Sequence, residues 1–116
     1  MHVLVDIKTR RVAARRDWTP RAANAFVDRA VEITGLSPFG ERQVIEHDDL
    51  VIFCQLIAES HIIGHLDRHR GRAWVDVFSC RDVDADLVEA AVLQYLVPPS
   101  AASTSTVRVL DRGILP

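Results

Sequence analysis

Leu50-Val51-Ile52-Phe53-Cys54-Gln55-Leu56-Ile57-Ala58-Glu59-Ser60-His61-Ile62-Ile63-Gly64-His65-Leu66 is the stretch on which the fold turns. Six of its first eight residues are large aliphatics or Phe, which predicts a buried strand over 50–57. A second, shorter strand is expected from His61 to Leu66, after a break. The break holds Glu59 and Ser60, so a carboxylate, a hydroxyl and the imidazole of His61 stand at the end of a buried strand, where backbone strain can be stored.

Outward from this pair, Asp67 to Arg72 is a charged turn ending near Gly71, and Ala73 to Phe78 is a further strand, apolar on both faces and so expected to be buried. His2 to Ile7 is a strand with Val3, Val5 and Ile7 on one face. Lys8 to Asp17 is polar and basic, a connecting loop. Thr19 as N-cap and Pro20 at the first helical position open a helix in which Ala22, Phe26, Ala30 and Ile33 recur at helical spacing, and Gly35 closes it. Leu36 to Gly40 is a turn, and Glu41 to Asp49 is polar with an acidic end. Asp82 to Asp86 offers N-caps for a second helix to about Leu96, with the stripe Leu87, Ala91, Tyr95 and with Val88 and Val92 beside it. Pro98-Pro99 ends it. Ser100 to Ser105 is a loop of small residues, and Thr106 to Leu110 is a last strand. This order predicts an α/β (α+β) two-layer sandwich: a largely antiparallel sheet with two helices on one face. The other face then needs cover, which a second copy can give.

The 116 residues suffice for a single domain spanning 1–116, and 48% apolar with 26% charged residues is a globular composition. A net charge of −2 points to neither nucleic acid nor an anionic membrane. Arg10, Arg11, Arg15 and Arg16 form a local basic run, taken as a solvated turn. No apolar stretch spans a bilayer and no signal peptide is evident, so the expected location is cytoplasmic. Cys54 and Cys80 are then reduced thiols, Cys54 a small core residue and Cys80 at the end of an alternating strand, where a merely structural role explains it less well.

Ser60 can attack the carbonyl of Glu59, moving the acyl group from nitrogen to oxygen. The ester eliminates once a base takes the serine α-proton, and dehydroalanine hydrolyses to a pyruvoyl group and ammonia. This needs a strained serine, oxyanion donors and a base, for which His65 is a candidate. A pyruvoyl group forms a Schiff base with a substrate amine and serves as electron sink, with Cys80 returning a proton. No metal and no pyridoxal phosphate is then required. A metal site on His61, His65, His69 and Cys80 needs a helix, whereas on a strand His61 and His65 stand about 13 Å apart.

Ala58-Glu59-Ser60-His61, then His65, then Val75-Asp76-Val77-Phe78-Ser79-Cys80, is similar to the prokaryotic S-adenosylmethionine decarboxylases, small self-cleaving pyruvoyl enzymes of polyamine biosynthesis. His2 to Asp6, and Val109 to Ile114 with Arg112-Gly113-Ile114, resemble the family's opening and closing strands. The resemblance implies cleavage at Glu59–Ser60 into 1–59 (beta chain) and 60–116 (alpha chain). It further implies that Ser60 is the pyruvoyl precursor, His65 assists processing, Cys80 is the proton donor, and the cleaved protomers form a homodimer.

The chain departs from the family near the substrate. Glu46 stands where the family carries the Phe of a Phe-x-Pro-x-Gly segment. Leu66-Asp67-Arg68-His69 replaces Thr-Trp-Pro-Glu, and Val51-Ile52-Phe53 replaces a Ser/Thr-Gly pair. Fewer aromatic faces and more carboxylates suit a smaller, more cationic amino acid, arginine or ornithine, paired with Glu46, Asp48, Asp49 or Asp67. The alternatives are S-adenosylmethionine itself, and an uncleaved homologue acting as a binding module.

Overall fold

Apolar residues at a period of two decide which side of each strand is buried. Val3, Val5 and Ile7 are buried, as are Val51, Phe53 and Ile57, Ile62 and Leu66, and Ala73, Val75 and Val77. In the computed structural model, which describes residues 1–97 and 103–110, these positions share one face of a six-stranded sheet. Its strands are β1 (His2–Lys8), β2 (Gln43–His47), β3 (Leu50–Ile57), β4 (Ser60–Asp67), β5 (Arg72–Phe78) and β6 (Thr104–Leu110). They lie in the order β2-β3-β4-β5-β1-β6, and every paired neighbour is antiparallel. The expected α/β sandwich is the observed one. No helix among the described residues is long and apolar enough to cross a membrane.

Helices α2 (Pro20–Thr34) and α3 (Ala85–Leu96) cover the buried face. Thr19 Oγ1 accepts from the Ala22 N–H at 3.1 Å, Pro20 opens α2, and Gly35 at φ 67° ends it in the left-handed conformation that glycine adopts at little cost. The buried residues of α2 are Ala23, Phe26, Val27, Ala30 and Thr34, whereas Ala22 and Ile33, expected on the stripe, are only partly buried at its border. Asp84 caps α3 through the Asp86 and Leu87 N–H groups. Trp18, fully buried, donates its indole N–H to Leu96 O at 2.6 Å and so ties the start of α2 to the end of α3.

Five sequence expectations need correction. Arg11–Asp17 is a short helix, α1, and not a loop: Ala13 and Ala14 are buried beneath its arginines. Gln43–His47, read only as part of a polar stretch, is the edge strand β2, whose polar residues suit an exposed edge. Leu87 is 44% exposed, and α3 instead buries Val88, Ala91, Val92 and Leu96. Trp74 on β5 is exposed, so that strand is not buried on both faces. The last strand also starts earlier, at Thr104. Pro98-Pro99 and Arg112-Gly113-Ile114 lie outside the described residues, as does the first half of the Ser100–Ser105 loop.

The face away from the helices carries Leu4, Ile52, Cys54, Leu56, Ile63, Trp74 and Phe78, none of which is buried. Between sheet and helices, Gly64 has no room for a side chain: a Cβ there would lie 2.1 Å from the Phe53 ring. Phe53 meets Phe26 edge to face at 5.8 Å, so the ring cannot retreat without disturbing α2. Gly64→Ala is expected to destabilise the fold by about 1–3 kcal/mol, as overpacking does, measured by thermal or urea denaturation.

Candidate active site

Ile57 pairs with Ser60, so β3 and β4 are joined by two residues only, Ala58 and Glu59. There is no gap between the strands. Such hairpins need positive φ within the loop, usually supplied by Gly or Asn. Here Glu59 supplies it, at φ 61°, a conformation that costs a side-chain-bearing residue about 1–2 kcal/mol. The loop is held from outside: the Ala58 N–H donates to Ser37 O at 3.1 Å, the Phe39 N–H donates to Leu56 O at 2.8 Å, and Pro38 bridges Ile57.

The same hairpin orients Ser60. It begins the buried alternation Ser60, Ile62, Gly64, Leu66, and its side chain is on the helix side of the sheet. Its Oγ is buried and has no hydrogen-bond partner among the described residues. A hydroxyl in that state costs about 1–3 kcal/mol. It adjoins a strained peptide.

Cys80, just beyond β5 and exposed, comes to this turn from the neighbouring strand. Its thiol donates to Glu59 O at 3.0 Å, the carbonyl of the Glu59–Ser60 peptide. The approach is fixed from β1: the Ser79 N–H donates to Met1 O at 2.9 Å, and the amino terminus donates to Ser79 O at 2.6 Å. Ser79 is fully buried and its Oγ accepts from the Arg81 N–H. The structure thus brings Glu59, Ser60 and Cys80 together, which a twenty-residue spacing alone could not establish.

His61 faces the opposite, open side. Its ring stacks on Phe78 at 5.2 Å and lies edge-on to His2 at 6.3 Å, and His2 is edge-on to Phe78 at 5.7 Å. Asp76 approaches His2 Nε2 at 3.7 Å. This aromatic row, formed by cross-strand neighbours on β4, β5 and β1, was not anticipated. Its signal lay in pair register rather than in any local motif.

His65 does not join Ser60 within the chain. It sits on the open face beside Ile52 and Trp74, five residues along β4, or about 16 Å. The four carboxylates expected at the substrate are also elsewhere. Glu46, Asp48, Asp49 and Asp67 occupy the other end of the β2–β3–β4 ladder, about 25 Å from Ser60 at the usual rise. Arg68 commits much of that cluster: it donates to Glu46 Oε2 at 2.6 Å, Asp48 O at 2.5 Å and Trp18 O at 3.3 Å, while its N–H reaches Asp49 O at 2.8 Å. Asp67 is buried, accepts from the Arg70 N–H at 3.0 Å, and pairs with the Arg70 side chain.

Residues 1–113 match the family described as S-adenosylmethionine decarboxylase. The chain belongs to that family. It is thereby a carboxy-lyase of the self-processing, pyruvoyl-dependent kind. In fold it is similar to the adenosylmethionine decarboxylase from Aquifex aeolicus VF5, with a TM-score of 0.67 and 20% identity over 99% of this chain and 94% of the other. A search of the curated proteins finds no match.

The strain at Glu59 predicts a stability effect. In the Ser60→Ala background, which keeps the chain whole, Glu59→Gly is expected to raise unfolding free energy by about 1 kcal/mol, measured by urea denaturation.

Proposed function

We propose that this chain cleaves itself between Glu59 and Ser60 and that Ser60 becomes the pyruvoyl group of a decarboxylase. The observation that carries the reading is the contact of the Cys80 thiol with Glu59 O beside the unpartnered Ser60 hydroxyl. Ser60 Oγ attacks the Glu59 carbonyl carbon, and the oxygen gains negative charge while the Cys80 S–H donates to it. The C–N bond to Ser60 breaks, the nitrogen takes a proton, and an ester remains. Loss of the Ser60 α-proton expels the Glu59 carboxylate from Cβ, and water then converts the dehydroalanine to a pyruvoyl group with release of ammonia. The left-handed Glu59 favours the first step, because breaking the peptide releases its strain.

These residues fit the group the family implies. Ser60 heads β4 and would carry it there. A pyruvoyl group supplies an electron sink for a substrate amine. Cys80, exposed and next to that position, is the chain's proton donor for the decarboxylated product. His65 is too far from Ser60 in its own chain to act as base, so a processing role for it runs through a second copy laid on the open face. The unburied apolar residues of that face support a homodimer of cleaved protomers.

The family match and the Aquifex likeness favour S-adenosylmethionine as substrate over arginine or ornithine. The aromatic row His61–Phe78–His2 at the Ser60 end also suits a sulfonium and an adenine ring. A cationic amino acid is the second reading. It rests on Glu46, which stands where the family carries a Phe and is engaged by Arg68 within this chain.

Carbon dioxide release with S-adenosylmethionine, arginine and ornithine tests the substrate. S-adenosylmethionine is expected to be turned over fastest; release from arginine or ornithine alone would move the substrate to the second reading. An intact chain that releases carbon dioxide from none of them would make the protein a binding module. Cys80→Ala is expected to slow self-cleavage by about tenfold or more, followed on denaturing gels, and to weaken turnover further. Unchanged cleavage and turnover would remove Cys80 from both steps.

A further inference from the structure

Ser60 has a second hydroxyl beside it, on the next strand. Ile62 pairs with Val77 and His61 with Phe78, so the same register sets Ser60 opposite Ser79. Both lie on the helix side of the sheet. Ser60 heads the buried alternation of β4, and Ser79 follows Val75 and Val77 in that of β5. The ladder with β1 also runs on past Phe78: the Ser79 N–H donates to Met1 O at 2.9 Å, so Ser79 keeps the direction of the strand. Cβ atoms directly opposite each other in such a sheet stand about 4.5–5.5 Å apart, within reach of a bond between two hydroxyls.

Across the sheet, the row at this level is Ile57, Ser60, Ser79 and Met1. Ile57 is apolar, and Met1 Sδ already accepts from the Val83 N–H at 3.3 Å. The next residues along the two strands on this face are Ile62 and Val77, both fully buried. Ser79 is therefore the hydroxyl that Ser60 meets in an apolar setting. Its Oγ accepts from the Arg81 N–H at 3.0 Å, which fills one of its two lone pairs. Its own O–H donates to no group among the described residues, and Ser60 Oγ has no partner among them either. The two hydroxyls are not bonded to each other in the structure. A step of the Ser60 side chain between staggered χ1 wells joins them.

We propose that Ser79 acts in self-cleavage: its Oγ accepts the Ser60 O–H and holds that hydroxyl for attack on the Glu59 carbonyl carbon. The inference rests on the cleavage proposed above. Ser79 and Cys80 then divide the task between them. Consecutive residues of an extended chain point to opposite sides. Ser79 meets the attacking hydroxyl from the buried side, while Cys80 meets Glu59 O from the exposed side. Ser79 keeps its own proton, and the proton of Ser60 Oγ passes to the Ser60 nitrogen as the C–N bond breaks. The role ends with cleavage, because elimination carries Ser60 Oγ away in the Glu59 carboxylate.

The test compares the unsubstituted full chain with Ser79→Ala, Ser79→Cys and Ser79→Thr. Cleavage is timed on denaturing gels, and pyruvoyl groups are counted with a carbonyl reagent. Carbon dioxide release from S-adenosylmethionine is then divided by that count. Ser79→Ala is expected to slow cleavage about tenfold, the effect of one lost hydrogen bond. Ser79→Cys is close to serine in size but a weak acceptor, so it keeps the packing and should also slow cleavage. Ser79→Thr keeps the hydroxyl and should cleave nearly as fast as the unsubstituted chain. Turnover per pyruvoyl group should be unchanged in all three, whereas a shift of the Arg81 turn would displace Cys80 and lower it. The inference is overturned if Ser79→Ala and Ser79→Cys cleave at the unsubstituted rate, if Ser79→Thr cleaves no faster than Ser79→Ala, or if turnover per pyruvoyl group falls along with cleavage. An unsubstituted chain that stays whole removes the cleavage and this inference with it. A chain that cleaves, with variants that cleave equally fast, removes Ser79 alone.

Discussion

Two residues join β3 to β4, and that count constrains everything near the site. With Ile57 opposite Ser60, side-chain direction along both strands is set, because a slip of one residue would turn every buried side chain to the other face. Ser60 must then face the helices and His61 the open side. Glu59 supplies the positive φ that so short a loop needs. Packing of Ile62 and Leu66 beneath the helices holds this register, and the contacts at Ser37, Phe39 and Pro38 keep the loop from relaxing. The core thus maintains strain in one peptide bond, and β5 delivers a thiol to its carbonyl.

The sheet also separates two chemistries. At one end lie the strained peptide, the buried hydroxyl, Cys80 and the row of His61, Phe78 and His2. At the other, Arg68 gathers the acidic loop of β2–β3, and Gly71 draws Lys8, Arg11 and Arg72 around Trp74. Between them the open face mixes apolar Leu4, Ile52 and Ile63 with His65 and Asp76 in its middle. A second copy on that face would bring groups from one end of its sheet toward the other end of this one.

The elements visible in the sequence are those with a strong one-sided pattern. α2 has a cap, a proline, a stripe and a closing glycine, and β3 has an apolar run bounded by polar residues. β2 and α1 were hidden because little of either is buried: β2 is a polar edge, and α1 places two alanines beneath arginines. In α3 apolar residues occur on every side, so the sequence admits stripes one position apart, and packing chose Val88 over Leu87. At the site, spacing singled out Ser60 and Cys80, but their meeting at Glu59 O depends on pairing of β4 with β5 and of β1 with β5. The acidic residues misled for a related reason. Glu46 and Asp67 flank the Ser60 strands in sequence, yet antiparallel hairpins carry residues that many positions from a turn to the far end of the sheet.

The central claim is that the Glu59–Ser60 peptide is the bond the fold has prepared for breaking. Denaturing mass spectrometry of the purified chain, with Ser60→Ala beside it, tests this most directly. The account predicts fragments 1–59 and 60–116, the second lacking a free amino terminus and reactive toward a carbonyl reagent, while Ser60→Ala stays whole. An intact chain after long incubation, or cleavage at any other bond, would contradict it.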